Sequence, residues 1–280
     1  MRRTRMSRPK GISSRLSALF VFVLLAVALV GAGYLLGRFV LSSILSRPPG
    51  APVSGLPRDD KGGSGSETAT ATIALDGFTV YRIQVGAFSS KDNATKLAQS
   101  CLAKGVPAYV MSPDPLHKVY CGVLASRQAA DKMAEDVMAK ISGTVIPAED
   151  KLYIGTLEVP AIQVPVVGDK RYVSALDGAV KKAGPALRTL LGFWDSYYLK
   201  TAPVDVRTPA RDVVAALEAL KAVGPPESLK ATHSACVAAL ESLAKALAGA
   251  EAVYGGDGSK GPEAMTELMK LVDILASFGK

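Results

Sequence analysis

Histidine and cysteine are scarce in this chain. Two histidines, His117 and His233, and three cysteines, Cys101, Cys121 and Cys236, are spread over 280 residues. A zinc site needs three or four clustered ligands. Neither a CxxC pair nor close histidines are present, so metal and redox motifs are unsupported and no cofactor is implied. The cysteines read as small buried apolar residues. Aromatic residues make up only 6% of the chain. Acidic residues are absent from positions 1–15, which hold Arg2, Arg3, Arg5, Arg8, Lys10 and Arg15. Those six account for most of the net charge of +8. The basic excess is therefore a terminal tag, and nothing in its distribution marks a nucleic-acid-binding stripe.

Charge of either sign is missing from Leu16 to Leu36, LSALFVFVLLAVALVGAGYLL. As a helix this run covers roughly 30 Å, the thickness of one hydrocarbon core. It predicts a transmembrane helix over 16–40 with the bilayer as its partner. The preceding arginines favour a cytoplasmic tail, 1–15, and an extracytoplasmic remainder on a single-pass membrane protein. The competing reading is a cleaved signal peptide with Val30-Gly31-Ala32 as its small-residue site. Residues 46–76 are Pro-rich, then Gly/Ser-rich, then Thr/Ala-rich, and predict a disordered linker.

Residues 77–159 read as a folded module. FTVYRIQVGAF alternates with period two and predicts a strand. SSKDNATKLAQSCLAKG follows, with Ser89 or Ser90 to cap a helix and Gly105 to end it. Ala94, Leu97, Ala98, Cys101 and Leu102 share one face of that helix. VPAYVM is a second strand and SPDP a turn. The phrase then recurs 36 residues on, from HKVYCGVLAS through a helix carrying Ala130, Met133, Ala134, Val137 and Met138. Gly86/Gly122, Ser90/Ser126, Ala94/Ala130, Lys96/Lys132, Ala98/Ala134, Ala103/Ala139 and Lys104/Lys140 are identical between copies. A repeat of register, pattern and caps indicates a duplicated unit. TVIPA and KLYIGTLEV complete the last strand. The product is a β-α-β-β-α-β domain of ferredoxin- or RNP-like order, a four-stranded antiparallel sheet with helices on one face and the other face open.

From about Tyr172 the chain turns helical. Pro185, Pro209, Pro226 and Pro262 mark helix starts, and Gly224, Gly255 and Gly279 mark ends. The best-marked helix spans 226–254. On it Leu229, His233, Cys236, Leu240, Leu243, Leu247, Ala250 and Tyr254 form an apolar seam, which makes His233 a core histidine. An all-α bundle of three to five helices is expected over 170–280. The fold class is therefore α+β, with a transmembrane helix before the sheet domain and a helical bundle after it.

YRIQVGAFSSKDNATKLAQSCLAKGVPAYV followed by KVYCGVLASRQAADKMAEDVMAKI resembles the sporulation-related repeat, or SPOR, domain. The likeness covers about 80 residues, including the QVGAF strand and both helices. The resemblance implies a bacterial cell-envelope protein that binds peptidoglycan glycan strands "denuded" of stem peptides, during cell division or sporulation. It places glycan contacts on Gln84, Ala87 and Lys118. Members often carry Ser or Thr at the Ala87 position and Arg at the Lys118 position, and Lys lacks the planar fork of Arg.

The residues themselves agree with such a ligand. Alternation sends Tyr81, Ile83 and Val85 toward the helices and Arg82 and Gln84 to the open face. Val119, Cys121, Ala108 and Val110 point inward, and Lys118, Tyr120 and Tyr109 outward. Aromatic rings pack on sugars, a glutamine amide both donates and accepts, and Lys or Arg pairs with a freed lactyl carboxylate. The bland alternative for each is a solvated or packed surface residue. Gly86 serves the backbone between strand and helix. His117 reads as a loop residue.

No catalytic residue is expected. Glu241-Ser242 lies in a helix without the motif that surrounds a glycan-cleaving glutamate. RNA binding by an RNP-like sheet is disfavoured because KVYCGVL lacks the RNP1 aromatics. The rival to glycan binding is a protein–protein scaffold, in which sheet module and bundle dock an envelope or divisome protein. Phe193, Trp194, Tyr197 and Tyr198 could form its interface, though core packing is the simpler reading.

Overall fold

The computed structural model describes residues 67–111 and 116–278. The expected tail over 1–15, the membrane span over 16–40 and most of the linker lie outside these. Among the described residues no helix is long and apolar enough to cross a membrane. The end of the expected linker is ordered. Thr68–Leu75 is strand β1, and it pairs antiparallel with Ile162–Asp169. TATATIAL is too small and polar to build a core alone, but its alternation lets Ile73 and Leu75 turn toward the helices while threonines face water.

The sheet domain follows. Strand β2 is Phe78–Phe88, and helix α1 is Lys91–Ala103. Ser90 occupies the N-cap with extended backbone and no side-chain bond. Gly105 turns the chain out of the helix at φ +66°, which a side chain would resist. Strand β3 is Tyr109–Met111 and β4 is His117–Leu124, so His117 opens a strand and is not a loop residue. Helix α2 is Arg127–Ile141, and here Ser126 caps by accepting from the Ala129 N–H at 3.2 Å. Strand β5 is Tyr153–Val159. TVIPA, expected to share the last strand, instead forms a turn with a single bridge from Ser142 to Ile146. The sheet order is β3-β4-β2-β5, all antiparallel.

Small residues let α1 and α2 approach the sheet. Ala94, Ala98 and Cys101 from α1, and Ala130, Met133 and Val137 from α2, are buried with Ile83, Val119 and Leu124. The register slips between Ile83 and Gln84 and again before Gly86. Across the slip Gly122 faces α2, where an added Cβ would lie 2.4 Å from the Met133 Sδ. Val123 accordingly turns to the other face, opposite Arg82.

Strand β6, Ile162–Asp169, leads into the helices. Asp169 caps helix α3, Lys170–Leu199, by accepting from the Arg171 and Tyr172 N–H groups. Pro185 lies inside α3 and does not start a helix. Buried Leu176, Leu187, Leu190 and Trp194 hold that helix together across the missing N–H. Helix α4 is Arg207–Lys221, α5 is Lys230–Tyr254 and α6 is Gly261–Ser277. A short 3-10 turn over Glu227–Leu229 replaces the expected first turn of α5. The α5 seam is buried at Leu240, Leu243, Leu247 and Ala250, and exposed at Tyr254, which carries the Arg207 guanidinium 5.3 Å from its ring centre. Phe193 and Trp194 are core, whereas Tyr197 is exposed. Between the β1–β6 ribbon and α3, α5 and α6 lies an apolar cavity of about 90 Å³, lined by Ile73, Val164, Leu176, Leu240 and Leu271 among others.

Two helical glycines separate propensity from packing. Gly178 in α3 has nothing within 4 Å of where its Cβ would be, so Gly178→Ala should stabilise by about 0.5–1 kcal/mol. Gly249 in α5 would place a Cβ 2.5 Å from the Ala264 Cβ and 3.3 Å from its Cα on α6. No rotation relieves that clash, and overpacking of about 1–3 kcal/mol should exceed the propensity gain. Urea midpoints of the two variants should move in opposite directions.

Candidate functional site

Side chains on the face of the sheet away from α1 and α2 form three cross-strand rows. Tyr109, Tyr120, Gln84 and Tyr153 stand side by side from β3 to β5. Below them Met111, Lys118 and Ala87 form a second row, and Val123, Arg82 and Gly155 a third. Strand alternation and register thus bring all six residues expected to contact glycan onto one face. Arg82 ties the three rows together. Its guanidinium carbon lies 4.6 Å from the centre of the Tyr120 ring, and its Nη1 donates to the Met111 Sδ at 3.2 Å.

That face is not open along its whole width. Helix α6 lies against β4, β3 and β5. Met269, Val272 and Asp273 of α6 close over Arg82, Tyr109, Tyr120 and Val123. The Tyr109 hydroxyl donates to the Asp273 Oδ2 at 2.8 Å, and Tyr120 keeps only 5% of its surface. Burial, then the Asp273 carboxylate, pushes the Tyr109 phenol well above its ordinary range. Burial raises Tyr120 too, against the opposing pull of Arg82. The expectation of a fully open face is corrected by this contact. Val123 and the tyrosine rings are apolar surface that α6 removes from water.

The six expected residues therefore fall into two groups. Arg82, Tyr109 and Tyr120 sit under α6. Ala87 is exposed, and Gln84 and Lys118 are half-buried, beyond the covered part. The uncovered end gains a residue that sequence reading passed over. Tyr153 is 66% exposed, pairs with Gln84, and leans over Gly155, where an added Cβ would lie 2.9 Å from the ring. Its signal was present in YIGTLEV, where a glycine two places after an aromatic leaves room for the ring. Asp273 carried no signal at all.

Among the described residues outside the sheet, the other titratable groups singled out from sequence stand apart from one another. Glu241 is a half-buried residue whose carboxylate pairs with Lys221 at 2.9 Å. The Lys221 ammonium holds it below the usual carboxylate range, the reverse of the raised acid that glycan cleavage requires. Cys101, Cys121 and Cys236 are free thiols raised by burial, Cys236 being only half-buried. His233 sits half-buried with its ring 5.8 Å from that of Tyr172. Among the described residues no cluster of three metal-ligating side chains occurs.

Comparison with known proteins bears on the sheet domain. Residues 78–147 match the SPOR domain family. Among solved structures, the peptidoglycan binding domain of the B. subtilis cell wall lytic enzyme CwlC is similar, at 30% identity over 28% of this chain and 90% of that chain, with a TM-score of 0.23. No curated protein matches the chain.

The Tyr109–Asp273 bond has a testable weight. A hydrogen bond to a charged acceptor contributes about 1.5–3 kcal/mol when buried and less where water competes. Tyr109→Phe should lower unfolding free energy by about 1 kcal/mol in urea titration. A variant with unchanged stability would show that the contact is made by packing alone.

Proposed function

We propose that this protein, whose residues 78–147 form a SPOR domain, binds peptidoglycan through the outer face of the β3-β4-β2-β5 sheet. The ligand is the denuded glycan strand, met where cell division or sporulation produces it. The observation that carries this reading is the uncovered end of the face. There the exposed ring of Tyr153 stands beside Gln84, one row from Lys118 and Ala87. A pyranose ring can stack on the tyrosine, its N-acetyl and hydroxyl groups can bond the glutamine amide, and its freed carboxylate can meet the lysine. Nothing in this set breaks a bond. It is a binding surface, and the protein acts as a non-catalytic glycan binder. The basic tail and apolar run of residues 1–40 would tether it to a bilayer with the sheet domain outside the cytoplasm.

A second reading has one observation in its favour. The sheet already accepts a helix, α6, on Tyr109 and Tyr120. A face that docks its own helix could dock an envelope or divisome protein instead, which would make the chain a scaffold.

Co-sedimentation of the compact unit, residues 64–280, with isolated sacculi tests the first reading. Binding should rise when the sacculi are pretreated with amidase to strip stem peptides. Gln84→Ala, Lys118→Ala and Tyr153→Ala should each weaken it by about fivefold, the worth of one polar or stacking contact of roughly 1 kcal/mol. Equal sedimentation with and without amidase, unaffected by all three substitutions, would favour the scaffold.

A further inference from the structure

Half of the candidate glycan face is under α6, and the chemistry of the cover is specific. Asp273 presents a carboxylate to the Tyr109 hydroxyl at 2.8 Å. It lies in the same small enclosure as Arg82 and Tyr120, and its charge reaches the Tyr120 phenol. A carboxylate bonded to one tyrosine, in one enclosure with a second tyrosine and a guanidinium, is what a lactyl group freed of its peptide would also offer. Met269 and Val272 flank it as the apolar part. We propose that α6 is an intramolecular occupant of the glycan face, with Asp273 standing in for the lactyl carboxylate. Full glycan binding then requires the sheet and the helices to part. The inference rests on the glycan reading above and adds a closed state to it.

Two features of the fold make parting feasible. First, α6 is also packed against the other helices. Ala264, Met265, Leu268, Leu271 and Leu275 are buried, and α6 meets α5 so closely that Gly249 has no room for a side chain. The helix can leave the sheet and remain folded on α5. Second, the chain joins the sheet domain to the rest through two neighbouring connections, and away from them the domain meets the helices where α2 packs on α3 and the sheet on α6. The chain enters through Asp76-Gly77 and leaves through Pro160-Ala161, and these two short connections touch, the Gly77 Cβ position lying 2.8 Å from the Ala161 N. Two adjacent two-residue joints make a hinge. A second polar contact crosses from the sheet domain to the helices. The Ala125 N–H donates to the Asp195 Oδ1 of α3 at 3.0 Å. Burial raises the Asp195 carboxyl above its usual value, so water would favour that charge once the contact opens.

The experiment compares wild-type residues 64–280 with Asp273→Ala and with the charge-neutral pair Met269→Ala/Val272→Ala. Amidase-treated sacculi are the probe, and covalent surface labelling of Tyr109 and Tyr120, located by mass spectrometry, is read in parallel. Both variants should make these two rings reactive. Both should bind sacculi about tenfold more tightly than wild type, the factor gained when a closed state populated about ten to one is removed. Adding Gln84→Ala, which α6 does not cover, should cut the gain to about twofold. Opened variants that bind no better than a binding wild type would overturn the closed state and leave the glycan reading intact. Opened variants that bind nothing would sink the glycan reading itself. Unchanged labelling of both tyrosines in both variants would show α6 to be a fixed part of the sheet's core, which also overturns the proposal.

Discussion

The contact between α6 and the outer face of the sheet is the constraint on which the molecule depends. A four-stranded sheet has two faces, and here both carry apolar side chains. α1 and α2 cover one through small residues and Met133. The other presents Tyr109, Tyr120 and Val123, which α6 covers. Without α6 those residues would be in water, and without the sheet α6 would expose Met269 and Val272. The Tyr109–Asp273 bond directs this burial, because it fixes which turn of α6 sits over which strand. Stability and ligand access are thus set by the same few side chains.

The duplication has a matching logic. Each copy contributes a strand and a helix, and the pseudo-equivalent strands β2 and β4 lie next to each other in the middle of the sheet. Their outward residues, Arg82 and Gln84 from one and Lys118 and Tyr120 from the other, come together because the strands pair antiparallel. The register slip at Gln84 keeps the pairing while turning Gly122 toward α2 and Val123 toward α6. One extra residue on each strand therefore decides which side chains α6 meets.

Much of this was legible from local pattern. Ser126 caps where the repeat placed a cap, Gly105 turns where a helix end was needed, and the helices begin and end close to the expected positions. The inward and outward alternation of Arg82, Gln84, Lys118 and Tyr120 also follows from period two. Other features were hidden for definable reasons. TATATIAL looked like linker because threonine and alanine bury little, and its partner lies beyond the whole sheet domain. TVIPA looked like strand because Thr, Val and Ile favour extended backbone, yet no neighbour was placed to pair with it. Pro185 looked like a start, but a helix packed along its length can run through a proline.

By itself the sequence determined the periods, the caps, the repeat and hence the β-α-β-β-α-β order, because each rests on residues a few positions apart. Only the tertiary structure decided how much of the sheet's outer face meets water. Tyr109 and Asp273 are 164 residues apart, and no periodicity links them. Their pairing follows from the fit of two assembled surfaces, the tyrosine row of one and the Met269–Asp273 ridge of the other. Tyr153 came into the site the same way, since its neighbour Gln84 lies across a strand pair that exists only once the sheet has closed.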